Sequence, residues 1–120
     1  MREVAIIGLG QTSVEEHWDK SLRELATQAI LDALQEAQRD KVDGIFVGNM
    51  MSGMISRQEN LGTLIADWAG LRGVEAFKVE AACGSGAAAV HLGVMAIGSQ
   101  TVERNQYNRC RAISSGGCIK

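Results

Sequence analysis

The chain has 120 residues, 46% of them hydrophobic, enough for one domain with a real core. Its 12 basic and 14 acidic residues leave a net charge of -2 without any Lys/Arg cluster, so the sequence carries no electrostatic footprint for nucleic acid. No apolar run reaches the roughly 18 residues of a membrane span, and Met1-Arg2-Glu3-Val4 leads directly into a strand without a signal-peptide core, so the expected location is the cytoplasm.

Cysteine usage narrows the chemistry further. Cys83, Cys110 and Cys118 form an odd set with no C-x-x-C pairing, which indicates neither a disulfide framework nor a zinc site, and no metal is expected.

In chain order, residues 4–7 (Val4-Ala5-Ile6-Ile7) are a short apolar run closed by Gly8 and Gly10, predicting a strand buried on both faces. Gly8-Leu9-Gly10 invites a dinucleotide-binding reading. That reading fails on spacing, because Ser13 stands where a third glycine belongs and the next helix starts well downstream. Residues 11–20, with His17 and Trp18, read as a solvated polar loop.

Ser21-Leu22-Arg23-Glu24 has the capping-box pattern, and Leu22, Leu25, Ala26, Ala29, Ile30, Ala33, Leu34 and Ala37 recur at helical spacing as one apolar stripe. A helix should therefore start at residue 21 and pack on a sheet. Residues 42–47 give a second strand ending at Gly48-Asn49, and strand, helix, strand at this spacing argues for parallel pairing with right-handed crossovers.

Residues 49–60 hold Met50, Met51 and Met54 beside Ser52 and Gly53. Flexible apolar side chains in a loop point to a contact surface, with filling of the chain's own core as the alternative. Arg57 in this loop suits either an anionic phosphate or an ordinary surface ion pair. Leu61, Leu64, Ile65, Trp68 and Ala69 mark a second amphipathic helix stopped by Gly70 and Gly73, and a third strand runs over residues 76–79.

That strand delivers Cys83. The stretch Val79-Glu80-Ala81-Ala82-Cys83-Gly84-Ser85-Gly86, followed by Ala87-Ala88-Ala89-Val90, reads as a strand entering a helix with a cysteine at the joint. A thiol at a helix start meets unpaired backbone N–H groups and the positive end of the macrodipole, both of which favour thiolate, and its small neighbours leave room for a substrate. A small buried hydrophobe is the alternative reading of the same residue. The helix that follows has almost no polar face beyond His91, which suits packing on both sides. His91 lies two turns from Cys83, about 12 Å along the axis, too far to serve as its base, and reads as a core or interface histidine.

After Gln100 the pattern changes. Residues 101–111 show neither helical nor strand periodicity, and Ser114-Ser115-Gly116-Gly117-Cys118 is turn-like. The chain therefore divides into a domain over 1–100 and an irregular tail over 101–120. A one-base shift of frame across Arg109 to Ala112 permits Asp-Val-Ala-Leu, a better strand, so the tail reads as aberrant.

The Cys83 stretch, with its Cys-x-Ser-Gly core, resembles the nucleophile motif of the thiolases, particularly the archaeal and sterol-carrier-protein-type acetyl-CoA acetyltransferases, and residues 1–100 can be laid onto that family's plan without a gap. The resemblance implies an α/β fold, a thiolase-like N-terminal half with a mostly parallel mixed sheet and helices on both faces, incomplete in this chain. It implies acyl transfer between coenzyme A thioesters, with Cys83 as nucleophile and its backbone N–H as oxyanion donor, no bound cofactor, and a role in lipid metabolism. The activating histidine, the second catalytic cysteine and most coenzyme A contacts belong to the family's C-terminal half, and Cys118 is not that second cysteine. The chain alone is then expected to be inactive. The family also implies a homodimer or larger oligomer through the 49–60 loop and the third strand. A reading of another class stands beside this one: a non-catalytic structural or assembly module that pairs with a full-length thiolase-like partner.

Overall fold

A computed structural model describes residues 3–99 in full and residues 110–114 and 117–119 by their backbone alone. In chain order the elements are β1 (Ile6–Leu9), α1 (Leu22–Glu36), β2 (Val42–Gly48), α2 (Ser52–Ile55), α3 (Leu61–Trp68), β3 (Glu75–Val79), α4 (Ser85–Gly98), β4 (Cys110–Ser114) and β5 (Gly117–Ile119). The strands form one sheet in the order β1-β5-β4-β2-β3. β2 is parallel to both β3 and β4, while β5 runs antiparallel to both of its neighbours, so four of the five strands point the same way. This is the mostly parallel mixed α/β sheet that the sequence implies.

Helix α1 starts where its capping box dictates. The Ser21 hydroxyl accepts from the Glu24 N–H, and the Glu24 carboxylate accepts from the Ser21 N–H at 2.7 Å, so two end donors of the helix are satisfied reciprocally. Its stripe then buries Ile30, Ala33, Leu34 and Ala37 against Val42 and Ile45 of β2 and against Leu61, Ile65 and Ala66 of α3. This cluster is the main core of the molecule. Arg23 of α1 lies 4.3 Å over the Trp68 ring, joining the outer edges of α1 and α3 by a cation–π contact.

The other face of β2 presents Phe46, stacked on Phe77 of β3 with ring centroids 5.6 Å apart. Phe46 packs with Val4, Val90 and Ile97, so α4 covers the face of the sheet opposite to α1 and α3. That second core is small. Leu92, Met95 and Phe77 remain exposed on or beside it, so among the described residues one side of α4 is covered, where the sequence suggests packing on both.

Three further expectations change. The first strand is shifted to Ile6–Leu9 and lies at one edge of the sheet, with Ile6 and Leu9 exposed rather than buried on both faces. Gly8 and Gly10 explain its placement, since a Cβ on Gly8 would overlap the carbonyl oxygen of Ala33 and one on Gly10 that of Ala29. These glycines serve backbone-to-helix contact, which leaves a phosphate-binding turn without a role. The 49–60 loop contains the single helical turn α2, opened by the Asn49 side chain, whose Oδ1 accepts from the N–H groups of Met51 (3.0 Å) and Ser52 (2.7 Å). Finally, within the tail read as irregular, Cys110–Ser114 and Gly117–Ile119 are strands of the sheet, paired Ala112 to Ile119, Ile113 to Cys118 and Ser114 to Gly117. Each is too short to show a period, and the pairing comes from the open sites beside β2 and β1. Residues 100–109, 115–116 and 120, including the rest of that tail, lie outside the described residues.

Candidate functional site at the β3 to α4 turn

The site is built by one sharp change of direction. β3 ends at Val79, α4 begins at Ser85, and the chain turns between them at Ala81-Ala82-Cys83-Gly84. The Gly84 N–H donates to the Ala81 carbonyl at 2.9 Å, and the Ser85 N–H to the Ala82 carbonyl at 3.1 Å. Within this turn Ala82 stands at φ +47, a left-handed conformation that L-alanine rarely adopts. Such strain is of order 1–3 kcal/mol and is found where a turn must hold a group in a fixed direction.

The group so held is Cys83, a free and exposed cysteine. It is therefore no core filler, and the alternative of a small buried hydrophobe fails. The helix cap is Gly84, so Cys83 sits one residue before the cap rather than inside the first turn. Its surroundings are small, as expected: Ala81, Ala82 and Gly84 are themselves exposed and leave the thiol open.

The turn is anchored to the sheet at its base. The Asn49 N–H donates to the Val79 carbonyl at 3.1 Å, extending the β2–β3 pairing by one step. Beside it, a Cβ on Gly48 would overlap the carbonyl oxygen of Ser85 and approach the Gly86 Cα at 2.8 Å. Gly48 is thus the seat on which the first turn of α4 rests. Lys78 and Glu80, paired at 3.3 Å, flank the end of β3.

The remaining polar candidates stand apart from the turn. His91 is exposed, two turns along α4, so it is not a core histidine. His17 is bonded to the Ser13 carbonyl at 2.8 Å in the 11–20 loop. Arg57 is exposed and left-handed (φ 49), and among the described residues it forms no ion pair. Met54 and Ile55 are exposed, which removes core filling as their purpose. An apolar cavity of about 260 Å³ lies on the opposite face of the sheet, between α1, β2 and α3, lined by Leu25, Ala29, Ile45, Leu61 and Ile65 among others, and Cys83 takes no part in it. No helix among the described residues is long and apolar enough to cross a membrane.

Sequence reasoning missed two parts of this site. The positive φ at Ala82 leaves no signal in an alanine. Ser85 stands in the Cys-x-Ser-Gly motif, yet that spacing alone assigns it no task; in the structure the residue is 4% exposed and its side chain is bonded on two sides.

The chain as a whole is similar to known proteins. Residues 4–104 match the thiolase N-terminal domain. The chain is 45% identical over 101 residues to the acetyl-CoA acetyltransferase of Methanothermobacter thermautotrophicus and 43% identical over 101 residues to that of Methanocaldococcus jannaschii. Each alignment covers 82% of this chain and 26% of the relative, so the chain spans about a quarter of the length of the curated relatives it matches. With most of its residues inside the family's N-terminal domain and Cys83 on an exposed turn before an apolar helix, the chain belongs to the thiolase family.

Proposed function

We propose that this chain carries the acyl-accepting nucleophile of a thiolase-type acyltransferase acting on coenzyme A thioesters, and that turnover needs residues it does not contain. The observation that carries the reading is the exposed Cys83 on a strained, anchored turn in a chain 45% identical to an acetyl-CoA acetyltransferase. The Cys83 sulfur attacks the thioester carbonyl, the Cys83 N–H donates to the developing oxyanion, and collapse forms an acetyl-cysteine while the coenzyme A sulfur leaves with the proton lost by the thiol. Acyl transfer to a second acceptor would complete the cycle. His91 stands two turns along α4 from Cys83, about 12 Å by helix rise and too far to move those protons, so catalysis should stop at one acyl group per chain.

Incubation of the purified 120-residue chain with acetyl-CoA, followed by intact-mass measurement and peptide mapping, should show one acetyl group on Cys83 and none in Cys83→Ser. Acetylation confined to Cys110 or Cys118 overturns the assignment. Cleavage of acetoacetyl-CoA at the rate of a complete enzyme overturns the claim that partners are needed.

A specific observation also favours assembly. β3 is an edge strand, Phe77 on it is exposed, and Met54 and Ile55 of the 49–60 loop are exposed as well. A homodimer or larger oligomer through these two segments would cover them. A monomer in sedimentation at tens of micromolar would count against it.

A further inference from the structure

The Ser85 hydroxyl ties together two peptide groups that precede the thiol. It accepts from the Ala81 N–H at 2.9 Å and donates to the Ala82 carbonyl at 2.7 Å, and the residue is 4% exposed. The Ala82 carbonyl belongs to the same peptide plane as the Cys83 N–H, and that peptide bond is trans, so the two groups point in opposite directions. Drawing the carbonyl inward onto Ser85 therefore turns the Cys83 N–H outward, to the side where a substrate can reach it.

We propose that Ser85 is a positioning residue that fixes the Ala82–Cys83 peptide plane and thereby aims the Cys83 N–H at the carbonyl oxygen of a thioester bound to the thiol. The inference rests on the nucleophile reading above and adds to it a residue that touches neither substrate nor sulfur. Without the hydroxyl, the Ala82 carbonyl keeps only the Ser85 N–H, the Ala81 N–H loses its acceptor, and the left-handed Ala82 is free to relax.

Two reactions of one thiol separate this role from general loosening. Attack on a thioester builds an oxyanion and needs the N–H, whereas alkylation by iodoacetamide builds none. Ser85→Ala is small enough to keep the helix, which circular dichroism would check. In the full 120-residue chain it should slow acetylation of Cys83 by S-phenyl thioacetate about tenfold while alkylation changes no more than about twofold, and Ser85→Thr should restore acetylation to within about threefold, as expected for one hydrogen bond. Amide exchange at Ala81, followed by NMR, should accelerate about tenfold in Ser85→Ala and recover in Ser85→Thr. Equal slowing of both reactions, or unchanged Ala81 exchange, overturns the proposal. If wild-type Cys83 accepts no acetyl group at all, the nucleophile reading fails instead, and exchange at Ala81 alone decides whether Ser85 holds the turn.

Discussion

The two faces of the sheet differ in completeness. On the α1 and α3 face nine buried residues form a continuous core in which Ile45 is 1% exposed, and glycines let β1 approach α1 at backbone distance. On the α4 face the helix buries Ala89 and Ile97, while Met95 is 49% and Phe77 48% exposed. The first face holds the larger buried cluster. The second carries the Cys83 turn at the start of a helix whose Leu92 and Met95 are exposed. The contrast teaches that the elements placing Cys83 are anchored from below, by Gly48 and Asn49, and open above.

Substitutions on the two faces should differ in cost. The largest effect is expected where backbone meets backbone: Gly10→Val should destabilise the chain by more than about 3 kcal/mol, because the overlapped atom is the Ala29 carbonyl and cannot swing aside, and urea titration followed by circular dichroism would read it. Next comes Ile45→Ala, expected to cost about 2–5 kcal/mol in the same titration, against a change within about 0.5 kcal/mol for Met95→Glu on the open face. A loss above about 1 kcal/mol at Met95 would show that the second face is covered after all.

Ser21→Ala, at the start of α1, should cost about 1 kcal/mol in thermal unfolding. The smallest effect concerns pH. Hydrogen bonds from the Ser21 side chain and backbone, aided by Arg23 and Lys20 and opposed by slight desolvation, hold the Glu24 carboxyl below its ordinary value. The stabilisation is therefore complete above the ordinary carboxylate range and fades as pH falls through that range to the lowered folded value. Glu24→Gln should flatten this acid limb, and an unchanged limb would remove the capping box from the account.

Much of the fold is legible in the residues themselves. Ser21 and Glu24 start α1, its stripe from Leu22 to Ala37 selects the buried side, Gly70 closes α3, and the strand, cysteine and Ala-rich helix around Cys83 are readable as a strand-to-helix joint. Less legible are the features that depend on a neighbour. Gly8 and Gly10 look like a ligand loop until α1 is placed against them, and Phe46 and Ile45 differ in fate only because the sheet has two faces. Residues 110–114 and 117–119 lack periodicity, being too short for it, and become strands through the partners they pair with.

The sequence by itself determined the helix starts and stops, the apolar stripes and the presence of one cysteine among small residues at a strand-to-helix joint, because caps, periodicity and side-chain size act between residues close in the chain. Only the tertiary structure decided that Ala82 is left-handed, that Gly48 seats the first turn of α4, that Ser85 is buried with its hydroxyl on both sides of the turn, and that Cys83 faces solvent. These depend on how β2 and β3 present their ends to α4, and a close approach between segments tens of residues apart leaves no local signature in any one of them.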